Sequence, residues 1–187
     1  MKKAVVGVLV GGVVYFAAGA ACWMALPWKN HAMKKISEEN LVRDTLKVVV
    51  TQPGLYNFPN CVGDQGKMDM NLFAEKFRSG PTGLIFIRMA GEEPMSPKNY
   101  VIGLLESLGV AAFCLCFLTL TRERIVSYAG RVLMVLTLGI FSWFSVHVPY
   151  WNWFFFPADY ISVVLLDTLF SYGLLGLVLA KFVPEKN

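Results

Sequence analysis

Four long apolar stretches dominate the pattern of hydrophobic and polar positions. Residues 4–26 contain no charged side chain, and residues 132–148 contain none with His147 neutral. Residues 99–121 hold one, Glu106, and residues 160–180 hold one, Asp167. A helix needs about 20 apolar residues to cross a bilayer core. Within that core a helix satisfies its own backbone hydrogen bonds, as no irregular segment facing lipid does. The pattern therefore predicts transmembrane helices over residues 1–26, 99–121, 125–148 and 159–182.

Residues 27–98 follow a different pattern. Ser37 is placed to cap a helix running to about Val50, with Ile36, Leu41, Leu46 and Val49 as a partial apolar face. Pro53-Gly54 predicts a turn, and Leu55 to Pro59 a short extended piece. Residues 62–69 read as a polar loop, and Met70 to Phe77 as a short helix or an irregular amphipathic stretch. Gly83 to Met89 is the best strand candidate. Ser96-Pro97 is a helix start leading into the second span. The expected fold class is thus an all-α membrane protein: a four-helix transmembrane bundle with a small mixed α/β extracytoplasmic insert between helices 1 and 2. A segment of this size buries only a small core, so the insert is expected to lean on the helices or on a partner.

Residues 149–158 complete the pattern. Two prolines, Pro149 and Pro157, bracket a run containing Tyr150, Trp151, Trp153, Phe154, Phe155 and Phe156 and no charge. Proline disfavours a continuous helix, so this stretch is predicted to be an aromatic loop at the outer interface. It would serve as a depth-fixing aromatic belt or as one wall of a site for a flat hydrophobic ligand.

Charge orients the chain. Lys2, Lys3, Arg122, Arg124, Arg131, Lys181 and Lys186 all fall on one side of four spans, whereas the connection between the third and fourth spans has no Lys or Arg. Both termini are expected in the cytoplasm. The exported segment has ten Lys/Arg and eight Asp/Glu, and long segments cross largely regardless of charge. Overall, 16% of residues are charged and 56% hydrophobic, against about 25% charged in soluble domains. The basic residues form no aromatic-interleaved stripe, so nucleic acid is not an expected partner. Lys2-Lys3 and Ala18-Gly19-Ala20 resemble parts of a cleaved signal. Apolar character nevertheless continues through Trp23, Met24, Ala25 and Leu26, which favours an uncleaved anchor. Pro27 and Trp28 mark its exit.

Small residues recur where helices would meet. Gly7 and Gly11 form a GxxxG, and Gly103, Ser107 and Ala111 repeat the spacing. Such residues let helix backbones approach closely in lipid, within one chain or across a dimer seam; the former is expected.

Candidate chemistry is confined to a few ionisable groups. Acidic or basic side chains inside a membrane tend to face a protein interior or polar cavity. Glu106 lies seven residues beyond Asn99 and Asp167 seven beyond Tyr160, each about 10 Å deep at 1.5 Å per residue. With His147 near the outer end of the third span, and Trp151 and Trp153, they form the candidate ligand-binding set. The alternative is interhelical hydrogen bonding alone. Four cysteines (Cys22, Cys61, Cys114 and Cys116) match no redox or zinc spacing. His31 and His147 are the only histidines and there is no CxxCH, so haem is disfavoured. Met68-Asp69-Met70 is a weak copper motif. No P-loop, GxSxG, HExxH or dinucleotide fingerprint occurs. No catalytic residue, cofactor or metal is assigned.

The motifs Leu26-Pro27-Trp28, Gly54-x-Tyr56-x-x-Pro59 and Pro149-Tyr150-Trp151-Asn152-Trp153 resemble those of a family of small four-span bacterial inner-membrane proteins. The resemblance implies the bacterial inner membrane and four spans, and carries no activity or site residue. The resulting expectation is a non-catalytic accessory or assembly component of a membrane complex, in contact with lipid and with a larger complex or a second copy. The alternative is a lipid-, quinone- or metal-binding membrane protein with its site in the outer half of the helices. A proton-coupled transporter ranks last.

Overall fold

The computed structural model describes residues 2–62 and 66–183, with Lys29 as backbone only. Lys186 and the centre of the predicted 62–69 loop lie outside the described residues. The chain is mostly helical, with a small two-stranded sheet. Four helical segments are long and apolar enough to cross a membrane: Lys2–Ala25, Pro97–Leu120, Tyr128–Phe154 and Ala158–Leu179. The chain divides into two compact units: Met1–Lys34 with Pro94–Asn187, and Lys35–Glu93.

The larger unit starts with α1 (Lys2–Ala20), which passes into a π-helical turn, Ala21–Ala25. Pro27 follows, and Trp28 opens the short helix α2 (Trp28–Ala32). The other long helices are designated α5 (Pro97–Leu120), α6 (Tyr128–Phe154) and α7 (Ala158–Leu179). Ser96 and Pro97 do start α5, although the Ser96 hydroxyl makes no capping bond. Helix α1 packs against both α5 and α7, and α7 packs along α6.

Small residues explain these approaches. A Cβ built on Gly12 would lie 2.9 Å from the Leu108 Cα, so α1 and α5 meet nearly backbone to backbone. Gly7 and Gly11 face Phe182, Leu179 and Leu175, and Gly139 faces the Tyr172 ring. The glycine seam therefore works within the chain. The core combines Ala111, Cys114, Leu115 and Leu118 of α5, Val135 of α6, and Leu175 and Leu179 of α7, with Val8 and Tyr15 of α1 packed against them.

Polar bonds pin α6 to α7 at both ends. The Tyr128 hydroxyl donates to the Leu177 carbonyl at 2.8 Å, and the Trp143 indole N–H donates to the Ile161 carbonyl at 3.1 Å. The Arg131 guanidinium donates to the carbonyls of Ile125 and Ala180. Arg131 thus closes a helix end as well as contributing positive charge.

The predicted aromatic loop over residues 149–158 is a correction. Helix α6 runs through Pro149 to Phe154, leaving only residues 155–157 as connection. Proline removes one backbone donor, whereas ending the helix at Val148 would release the backbone groups of several residues. In an apolar setting continuation is the better solution. The helix stops at Phe155, which adopts a left-handed conformation, φ 56°. The Tyr150 carbonyl accepts from the N–H groups of both Phe155 and Phe156.

The smaller unit contains α3 (Glu39–Val49), β1 (Gly54–Phe58), α4 (Met70–Ser79) and β2 (Gly83–Ile87). Strands β1 and β2 pair antiparallel from Gly54 opposite Ile87 to Phe58 opposite Gly83. A Cβ at Gly83 would lie 2.9 Å from the Phe58 ring, so glycine makes room for it. Helix α4 is capped by Asp69, whose carboxylate accepts from the N–H groups of Asn71 and Leu72. Ser37 does not cap α3; Glu38 occupies that position without a side-chain bond. The inward face of α3 is also displaced from the predicted one. Val42 and Leu46 are half-buried and Val50 is buried, whereas Leu41 and Val49 are exposed.

Candidate functional site

A cleft of about 530 Å³ opens among α1 with its π turn, α5 and α7, and it brings Glu106 and Asp167 together. Glu106 is the tenth residue of α5 and Asp167 the tenth of α7. Each is therefore about 14 Å along its helix axis from the first residue. Neither apolar helix supplies a reason of its own for a carboxyl group at this point. The cleft does, because it gives both groups an open space within the helical unit.

Asp167 is held on both oxygens. The Trp23 indole N–H donates to Oδ2 at 2.8 Å, and the Ser171 hydroxyl donates to Oδ1 at 2.9 Å. Ser171 follows Asp167 by one helical turn and is buried, with 3% of its surface exposed. Trp23 reaches Asp167 from the π turn that ends α1. Such a turn inserts an extra residue per repeat and so re-aims the side chains it carries; π turns are frequent at functional sites. Both donors are neutral, so they orient the carboxylate and supply hydrogen bonds without a counter-charge.

Glu106 is exposed to the cleft and forms no hydrogen bond or ion pair with a described residue. Tyr15, Phe16 and Tyr100 add aromatic wall, and Asn99 and Ser107 add polar atoms. The Ser107 hydroxyl already donates to the Gly103 carbonyl at 2.8 Å. No Lys, Arg or His among the described residues lines the cleft. Among the described residues, no three His, Cys, Asp or Glu side chains come together as a metal would require. Cys22 and Cys61 are free thiols, as are Cys114 and Cys116.

The remaining predicted residues do not line this cleft. His147 lies on α6 with its ring edge-on to Tyr150, centroids 6.0 Å apart. Its Nδ1 is buried and has no hydrogen-bond partner among the described residues. Tyr150 also stacks on Phe156 at 5.2 Å, and Phe156 meets Tyr160 at 5.5 Å. This ring cluster holds the α6–α7 connection. Trp151 and Trp153 are helical residues exposed by 52% and 73% and lie outside the lining of this cleft.

Sequence reasoning missed Trp23, Ser171, Tyr15 and Tyr100. Ser171 carried a usable signal, because a hydroxyl four residues after an intramembrane carboxyl shares its helix face. Trp23 reads as a headgroup anchor by position, and only packing brings it to a residue 144 positions away. No protein-family model, curated protein or solved structure matches the chain.

Proposed function

We infer that this chain is a non-catalytic, multi-pass protein of a bacterial inner membrane that holds a small amphiphilic ligand, a lipid or a quinone. Its helices form a four-helix transmembrane bundle with both termini cytoplasmic and residues 27–98 outside. The binding site is the cleft in the outer half of the bundle. The observation that carries the reading is Asp167, oriented by Trp23 and Ser171 in a cleft that it shares with Glu106. A volume near 530 Å³ lies within the range of small-molecule sites, about 300–1,000 Å³. Polar groups at one depth with apolar helix surface around them suit a molecule that has a polar end and an oily body. The metal alternative lacks a third ligand among the described residues and is not proposed.

Purification of the full chain with native lipid, followed by native mass spectrometry and a visible absorption scan, tests this. The parent should retain a small amphiphile. Glu106→Gln combined with Asp167→Asn should release it while helicity and monodispersity stay intact. A parent that carries nothing, or a double variant that retains the same molecule, opposes the reading. Accessible tags beside residue 186 and near Met68 should report opposite faces of the membrane.

A second reading is an accessory or assembly component of a larger membrane complex. It is favoured by α3, which buries none of its residues and leaves Leu41, Val48 and Val49 exposed by 66%, 80% and 65%. Affinity capture in mild detergent should then return a stoichiometric partner. Repeated recovery of a lone monomer would count against it.

A further inference from the structure

We propose that the cleft recognises an organic ammonium group bearing N–H, with Glu106 and Asp167 as its paired counter-charges and Trp23, Tyr15 and Tyr100 as its aromatic surround. This rests on the preceding reading that the cleft holds a ligand, and it specifies the ligand's polar end.

Charge balance gives the first reason. Two carboxyl side chains line one cleft, and neither forms an ion pair with a described residue. Intramembrane carboxyl groups are costly and pair with a partner of opposite sign or line a polar path. Among the described residues the lining contains no Lys, Arg or His to do this, which leaves the positive charge to what enters. The same absence argues against an anion with no ammonium of its own, such as a phosphatidylglycerol head or a free carboxylate, which would meet two acids and no described cation.

The second reason is the wall. Trp and Tyr rings attract cations through the negative faces of their π systems, most strongly where water is scarce. A bare metal ion would leave most of the 530 Å³ unfilled and would find too few ligands. An ammonium group on a carbon body uses both the acids and the rings.

The third reason concerns hydrogen bonding. Asp167 accepts from two neutral donors, with the Cys22 thiol also against it, and still has acceptor capacity, since a carboxylate accepts about four bonds. Glu106 has used none with described residues. Together they favour an ammonium that donates over a quaternary one that cannot. The group can belong to the head of an ethanolamine phospholipid or to a free amine such as a polyamine.

The full chain in phosphatidylcholine nanodiscs separates these sources. In one arm phosphatidylethanolamine is added at a fixed fraction and bound lipid is counted by native mass spectrometry. In the other, spermidine is titrated and tryptophan emission followed. Binding is expected in at least one arm, weakened about tenfold or more by Glu106→Gln, since one member of a charge pair is lost. Glu106 is exposed and makes no hydrogen bond or ion pair with a described residue, so this variant keeps the fold. Trp23→Phe should weaken binding less and shift the emission change. Preference for phosphatidylglycerol over phosphatidylethanolamine would overturn the proposal, as would unchanged amine binding in Glu106→Gln. If the parent retains a neutral quinone and no amine, the ammonium assignment fails while the ligand-binding reading stands. If nothing is retained in any arm, both fail.

Discussion

The two compact units use exposed apolar surface in different ways. In the larger unit Phe113 and Leu120 are exposed by 74% and 76%, on helices of membrane-spanning length. Lipid tails are as apolar as these side chains, so their exposure carries no penalty there. In the unit of residues 35–93, Val48 at 80% and Phe86 at 72% belong to a short helix and a short strand, too brief to span anything. The same degree of exposure is ordinary in the first case and calls for a cover in the second. The interiors differ in the same sense. The larger unit meets at near-backbone distances through Gly12 and Gly176, whereas among the described residues of the smaller unit only Val50 is buried.

The largest expected effect tests close approach. Gly12→Leu should destabilise the helical unit by about 3 kcal/mol, because the new side chain meets the α5 backbone. Gly173→Ala, with no heavy atom within 4 Å of its Cβ, should be neutral or stabilising by about 0.5 kcal/mol. Thermal unfolding in detergent reads both. Equal effects would mean that the glycine seam does not govern packing.

Next comes the polar element inside the same unit. Asp167→Leu leaves the Trp23 indole N–H without its acceptor and should cost about 1–3 kcal/mol. Asp167→Asn retains an acceptor oxygen and should cost less. If the two variants melt together, the Trp23 bond contributes nothing to the fold.

The smaller unit should respond more weakly and locally. Asp69→Ala removes the cap of α4, with an expected loss of about 1 kcal/mol. Hydrogen exchange at the first-turn amides of Asn71 and Leu72 should quicken in the full chain. Unchanged exchange there would argue against capping.

The smallest effect concerns pH. A hydrogen bond from Lys47 holds the Asp44 carboxyl below the ordinary carboxylate range. The folded-state value is lowered, so the stabilisation is present above the unfolded carboxylate's range and is lost as pH falls through the lowered value. Both side chains are largely exposed, so salt should erase the effect. Lys47→Ala should move the Asp44 titration, followed by NMR, back toward the ordinary range. An unmoved midpoint would dismiss the pair.

Composition and periodicity determined the four apolar helices, their limits to within a few residues in three of the four, and the first helix and two extended pieces of the smaller unit, leaving Met70 to Phe77 open between a helix and an irregular stretch. They could do so because helix length and apolar content are local properties set by bilayer thickness and backbone satisfaction. They misjudged Pro149 because helix-breaking propensity is weighed against the number of backbone groups left unbonded, and that balance depends on surroundings. They misplaced the inward face of α3 because a short amphipathic helix has several plausible stripes, and only its neighbours select Val42, Leu46 and Val50. The candidate residues divide in the same way. Glu106 and Asp167 were legible as isolated acids in apolar runs, since such residues are costly wherever the chain folds. Their shared cleft, the indole of Trp23 on Asp167 and the separation of His147, Trp151 and Trp153 from that cleft were decided by helix packing alone. Contacts between residues more than a hundred positions apart depend on which glycine faces which helix, and a linear pattern holds no record of that choice.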